Sequence, residues 1–266
     1  MPLRLFIVLL IALLCGCATL PGTQIKQINA RQVEFVVSIR SSPAVVFENG
    51  LGGKMECWRK VVPEIANDAT YFAYNRPGYG KSALTETPRD GSHIVEELHE
   101  LLLSQGIKPP YVLVGHSLGG LYMQLFARRY PEEVAALILV DSTHPKQLEG
   151  EGAIEKQSFW VRCLVRLLVT GVAKQELGLL AQTGEEVVKL PTLTGKPVFV
   201  LSASEPMKET SDLARFANEK RIDIARMYPG SRQIWVDSGH NIPLERPEAV
   251  VNAIRAALAE VHQERQ

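Results

Sequence analysis

Tyr111-Val112-Leu113-Val114-Gly115-His116-Ser117-Leu118-Gly119-Gly120 decides the fold, together with the Leu121-Tyr122-Met123-Gln124-Leu125-Phe126-Ala127-Arg128-Arg129-Tyr130 stretch that follows it. The first four residues are a short apolar run of strand type, and the last ten read as a helix. A strand that turns at once into a helix leaves its middle residue on a tight turn. Glycines two positions either side of Ser117 remove the Cβ atoms that would clash there, and the serine hydroxyl is lifted clear of the sheet. An ordinary Gly-rich connector needs only one such glycine.

Working outward, the same alternation recurs. Pro43-Ala44-Val45-Val46-Phe47, Thr70-Tyr71-Phe72-Ala73-Tyr74, Val134 to Val140 and Pro197 to Leu201 are apolar runs of strand length. Such runs belong to a parallel sheet buried on both faces. Gln32 to Ile39 is β-rich and reads as the first strand, and Arg232 to Asp237 as the last. Between the strands, Lys54 to Ala66, Gly91 to Gln105, Ser211 to Met227 and Pro247 to His262 carry helical spacing. Strands alternating with amphipathic helices predict an α/β fold with a doubly wound, mostly parallel sheet, whose ligands bind at the carboxyl ends of the strands. The rhythm breaks between Pro145 and Lys196. Phe159 to Leu180 is rich in Leu and Val with no strand, and predicts a helical cap over those strand ends.

The chain has 266 residues, 46% hydrophobic and 22% charged, which suits one domain with a large core. Lys plus Arg and Asp plus Glu both number 29 and are interspersed, so no bulk field attracts nucleic acid or anionic lipid. A monomer is expected. Ahead of the domain, residues 1–16 hold ten apolar residues, Leu5 to Leu14, behind a single Arg4. That run is half the length of a membrane span and reads as a signal peptide. Leu14-Cys15-Gly16-Cys17 resembles the lipobox of bacterial lipoproteins, which implies cleavage before Cys17 and lipidation of that residue. An unlipidated secreted form and an uncleaved anchor are the alternatives. With Ala18 next, the resemblance implies export to the periplasmic side and anchoring in the outer membrane. Residues 17–31 then read as a tether, 32–266 as the domain and 145–196 as its cap. Cys57 and Cys163 are expected as two buried thiols, although the compartment would let them pair.

A serine hydroxyl needs a base within hydrogen-bond reach and a group to hold that base. His240 follows the last strand in Ser238-Gly239-His240-Asn241, which brings its imidazole to the edge where Ser117 stands. His144 is the rival, and His116 points away from the turn. For the acid, Asp141 closes the strand after the turn's own helix, and Glu205 follows the next strand. Either can fix the imidazole tautomer, and Asp141 is preferred. The oxyanion formed by attack on a carbonyl needs two N–H donors, taken to be Leu118 and, from Gly50-Leu51-Gly52-Gly53, Leu51. Gly80-Lys81-Ser82 imitates the end of a phosphate-binding loop, but Asn75 stands where that loop needs glycine. No G-x-G-x-x-G follows a strand, and no cysteine or histidine cluster has ligand spacing, so neither cofactor nor metal is expected.

Val112 to Gly120, the Asn75-Arg76-Pro77-Gly78-Tyr79-Gly80-Lys81-Ser82 loop and Ser238-Gly239-His240 together resemble a serine hydrolase of the α/β-hydrolase fold, over roughly Pro43 to His262. Two positions depart from that pattern. Asn49-Gly50 stands where the family's oxyanion loop often begins His-Gly, and no aspartate occupies the usual turn after Leu201. Some members carry the acid on the preceding strand, where Asp141 lies. The resemblance implies cleavage of a small ester or acyl substrate through an acyl-enzyme, with esterase or lipase chemistry foremost. An acyltransferase on the same scaffold and a binding protein that kept the fold are the alternatives.

Overall fold

Eight strands lie in the order β1-β2-β4-β3-β5-β6-β7-β8 in the computed structural model, which describes residues 19–204 and 210–263. They are β1 (Gln24–Ile28), β2 (Arg31–Ser38), β3 (Ala44–Glu48), β4 (Thr70–Tyr74), β5 (Tyr111–His116), β6 (Val134–Val140), β7 (Val198–Ala203) and β8 (Arg232–Val236). From β4 through β8 every neighbouring pair is parallel, while β1 and β2 join antiparallel at one edge. The mostly parallel, doubly wound sheet is the one the apolar runs predict. β3, β4, β5 and β6 are buried at every position, so their side chains meet helices on both faces.

The helices are α1 (Val62–Ile65), α2 (Gly91–Ser104), α3 (Leu118–Arg129), α4 (Phe159–Leu168), α5 (Gly171–Gly178), α6 (Leu180–Lys189), α7 (Asp212–Arg226), α8 (Ile242–Glu245) and α9 (Pro247–Gln263). On one face of the sheet Ile94, Leu98 and Leu102 of α2 and Leu121, Leu125 and Phe126 of α3 bury against Val46, Leu113 and Leu137. On the other, Val250, Ile254, Ala257 and Val261 of α9 pack with Trp58 and Ile65 against Val45, Val112 and Ile138. At about 2–5 kcal/mol for each such side chain cut back to alanine, these two layers hold the sheet rigid beneath the loops at its carboxyl edge.

Three expectations are corrected. Residues 24–28, read as part of a tether, form β1. This edge strand is polar and largely solvent-exposed, with the burial of a hairpin arm paired on one side only, so it lacks the apolar signature of its neighbours. Lys54 to Ala66 is not one helix: a 3-10 turn at Met55–Trp58 precedes the four-residue α1, with Pro63 in the first turn of α1. The two cysteines are not both buried thiols. Cys57 is buried, whereas Cys163 is free and half-buried on α4, so they are not joined to each other. Between β6 and β7 the expected helical insertion is present, broken into α4, α5 and α6. Residues 1–16 and Cys17 lie outside the described residues, as does Glu205.

Candidate active site

Ser117 sits between β5 and α3 with φ 54° and ψ −123°, a left-handed backbone that a residue with a Cβ adopts only under constraint. Three backbone hydrogen bonds impose it. Ser117 N–H donates to the Val140 carbonyl at 3.1 Å, and the Ser117 carbonyl accepts from Gly120 and Thr143, both at 2.9 Å. The flanking glycines are needed for contact as well as conformation. A Cβ on Gly115 would lie 2.6 Å from the Gly119 carbonyl oxygen, and one on Gly119 would lie 2.4 Å from that of Glu48. Loop 49–53 therefore rests directly on the start of α3. Gly50 is so close that a Cβ there would sit 3.1 Å from the Ser117 Cβ.

Three strand ends deliver one hydrogen-bonded line. Ser117 Oγ donates to His240 Nε2 at 2.9 Å, and His240 Nδ1–H donates to Asp141 Oδ2 at 2.6 Å. Asp141 follows β6 directly, and its Oδ1 also accepts from Ala203 N–H at 3.1 Å. Arg221 of α7 closes on both carboxylate oxygens, Nε to Oδ1 at 2.7 Å and Nη2 to Oδ2 at 2.9 Å. Burial pushes this carboxyl group up, but the Arg221 guanidinium and the His240 hydrogen bond outweigh it and hold Asp141 well below the usual carboxylate range. Asp141 is thus a fixed anion that touches both an arginine and the imidazole.

The His240 loop is braced from two sides. Ser238 Oγ and Gly239 N–H both donate to Glu245 Oε2 at 2.8 Å. From below, His116 Nε2–H donates to the His240 carbonyl at 2.9 Å, with the two rings 4.8 Å apart. His116 does turn away from the serine hydroxyl, yet it supports the loop that carries the imidazole. Burial, then the neighbouring His240, lowers its pKa to about 3, so it is neutral. His144, the rival base, binds Asp223 through Nε2 at 3.0 Å and accepts from the Lys146 N–H through Nδ1, so both its nitrogens are engaged away from Ser117.

Leu118 opens α3, and its N–H has no partner within that helix. Leu51 N–H makes no hydrogen bond among the described residues. Both residues border the same cavity as Ser117 and His240. What holds the Leu51 loop is a group to which the sequence reading gave no role. Arg76 is 1% exposed and donates to the carbonyls of Asn49 at 2.6 Å and Gly50 at 2.9 Å. It is charge-balanced by Glu48 at 2.6 Å and by Glu176 of α5 at 2.8 and 2.9 Å. Tyr79 completes the ring, donating to Glu176 at 2.8 Å while accepting from Gly52 N–H at 3.3 Å. Burial raises the Glu48 pKa, while Arg76 is the chief influence in the other direction. This buried arginine braces the loop that begins at Asn49-Gly50, and it ties that loop to the cap. A lone arginine in a Pro/Gly turn was its only signal in the sequence, because Glu176 lies 100 residues away.

The cavity over Ser117 holds about 140 Å³. Its walls come largely from the cap, including Leu148, Ile154, Val165, Val169, Leu177 and Leu180. The lining also carries charge: Lys220 and Arg221 of α7 border the cavity, and Lys220 makes no ion pair among the described residues.

Residues 43–188 match the family described as alpha/beta hydrolase fold. The chain belongs to that family. An uncharacterized Bacillus subtilis protein, YqjL, is 34% identical over 101 residues, 38% of this chain, and the chain spans only 40% of that protein's length. A (lyso)-N-acylphosphatidylethanolamine lipase of Bos taurus is 22% identical over 258 residues, covering 84% of this chain and 75% of the lipase. Among solved structures, a hydrolase from Pseudomonas aeruginosa PA01 superposes with a TM-score of 0.65 at 17% identity, over 90% of this chain and 99% of that one. This last likeness is one of fold.

Two consequences can be measured. Arg76→Leu leaves Glu48 and Glu176 buried without their cation, which costs on the order of 3–5 kcal/mol. Urea denaturation of the variant should show a loss of this size, and an unchanged midpoint would contradict the role given to Arg76. His116 titrates at about 3 when folded, against 6.5 ordinarily, so the unfolded chain binds a proton that the folded one refuses between those values. Stability therefore falls as pH is lowered from 6.5, by about 1.4 kcal/mol per pH unit for this group. Denaturation at several pH values should show a shallower acid-side slope in His116→Asn; an equal slope contradicts the neutral, buried imidazole.

Proposed function

We propose that the chain is a serine hydrolase that cleaves carboxylic-ester-type bonds through an acyl-enzyme. The observation that carries this is the line from Asp141 Oδ2 through His240 to Ser117 Oγ, with contacts of 2.6 and 2.9 Å, ending at the floor of a largely apolar cavity. Membership of the alpha/beta hydrolase fold family, together with the likeness to an N-acylphosphatidylethanolamine lipase, supports hydrolysis of an acyl substrate in particular.

In this reading His240 Nε2 takes the Ser117 proton as Oγ bonds to the carbonyl carbon. The N–H groups of Leu118 and Leu51 hold the resulting oxyanion, aided by the helix dipole at the start of α3. The tetrahedral species collapses, the ester C–O bond breaks, and the imidazolium returns its proton to the leaving alkoxide. Water then adds to the acyl-enzyme with His240 again as base, releasing the carboxylic acid and restoring Ser117. Asp141 orients the imidazole and stabilises its charged form without taking the proton. Apolar walls suit the acyl chain, and the Lys220 ammonium suits a polar or anionic part of the substrate. The proposal extends to the N-terminus on sequence grounds: residues 1–16 are a cleaved signal peptide, Cys17 carries lipid, and the enzyme works as a monomer on the periplasmic side of the outer membrane.

Hydrolysis of a short-chain p-nitrophenyl ester tests the chemistry. Ser117→Ala should fall to the background rate, and Asp141→Asn should lose roughly 10³–10⁴ in kcat with its fold intact. Turnover persisting in folded Ser117→Ala would overturn the reading.

A further inference from the structure

Helix α4, sequence FWVRCLVRLL, is apolar around most of its circumference. With roughly 100° between successive residues, Val161 and Val165 fall on one arc and continue to Val169. That arc packs against Tyr79, Val172 and Ala173. The opposite arc carries Phe159, Trp160 and Leu167, which are 62%, 76% and 73% exposed, while Leu168, 40% exposed, lies beside Val161 at the border of the packed arc. A helix that is apolar all round is normally covered on every side. Here one side packs on the cap and the other meets solvent.

The charges around the helix indicate what covers it. From Lys156 to Lys174 the chain holds Lys156, Arg162, Arg166 and Lys174 and no Asp or Glu. Lys156 pairs with Glu151, whereas Arg162, Arg166 and Lys174 make no ion pair among the described residues. By the same angular count, Arg162 and Arg166 lie along the seam between the packed arc and the exposed one. An apolar arc with unpaired cations at its edge is the composition of a helix that lies in a membrane interface. A second copy meeting this face through its own α4 would instead bring four arginines together with no acid on either helix.

We propose that α4 lies in the surface of an anionic phospholipid bilayer, with Phe159, Trp160 and Leu167 at the acyl boundary and Arg162 and Arg166 at the lipid phosphates. Ten residues make a helix about 15 Å long, and none of the helices among the described residues is long and apolar enough to cross a membrane, so the contact is parallel to the surface. Val165 and Val169, on the inner arc, border the cavity above Ser117. Docking through α4 therefore places one wall of that cavity against the lipid, and an acyl substrate dissolved in the bilayer has a short path to it. The proposal stands apart from the chemistry assigned to Ser117 and can be tested in a protein that cannot perform it.

The experiment uses the full chain carrying Ser117→Ala, bound to vesicles of phosphatidylcholine and phosphatidylglycerol whose acyl chains are brominated. Subtracting the emission of the same protein with Trp160→Phe removes the contributions of Trp58 and Trp235. The Trp160 emission should shift to the blue and lose most of its intensity on these vesicles. The loss should be smaller on vesicles of phosphatidylcholine alone, and it should be abolished in Phe159→Ser/Leu167→Ser with an unchanged circular dichroism spectrum. Vesicle-bound protein whose Trp160 is not quenched overturns the proposal, whether the residue stays in water or is shielded in a dimer. Equal quenching on neutral vesicles removes the role given to the arginines.

Discussion

Ser117 is held in a backbone conformation that costs a non-glycine residue on the order of 1–3 kcal/mol, and the surrounding structure is arranged to impose it. The three hydrogen bonds that do so reach β6, the residues after it and the first turn of α3. The same turn brings Gly119 against the backbone of Glu48 and Asn49, at the end of β3. One strained residue therefore sets how closely β3, β5 and β6 approach at their carboxyl ends. Asp141 also has a positive φ, 40°, so two consecutive parallel strands both end in turns that only a rigid sheet can enforce.

Around that point lie two arginines, Arg76 buried and Arg221 nearly so, each shared between groups that would otherwise be far apart. Arg221 brings α7 to Asp141, and Arg76 brings α5 to the loop of Leu51. A buried ion pair adds little net stability because desolvation offsets most of the attraction, but it tolerates only a narrow geometry. Their contribution is thus one of position. Arg221 keeps Asp141 ionised and immobile while His240 shares its Oδ2, and Arg76 keeps two carbonyls of the Leu51 loop in place. Both arginines draw on the helices that also form the walls of the cavity, so the cap and the floor of the site are one electrostatic assembly.

Much of this was legible in the sequence. The parallel strands announce themselves because burial on both faces demands continuous apolar runs, as in Val134 to Val140. The turn at Ser117 is legible because its packing excludes any Cβ at Gly115 and Gly119. The meeting of Ser117 with His240 and Asp141 follows once each is placed at a strand end. Strand β1 was missed because an exposed edge needs no apolar residues. Arg76, Arg221 and Glu176 were missed because the pairs Arg76–Glu176 and Arg221–Asp141 are 100 and 80 residues apart, and a charge that will be buried looks in sequence like one that will be solvated. The outer face of α4 is illegible for the same reason in reverse: leucine spacing reports an apolar face without saying what it meets.

The central claim is that Ser117 is an activated nucleophile. Reaction of the full chain with a fluorophosphonate probe, followed by peptide mass spectrometry, addresses it directly. The account predicts one covalent adduct per chain, on Ser117, with labelling strongly slowed in folded His240→Ala. No adduct on the folded protein, or an adduct on a different serine, would contradict it.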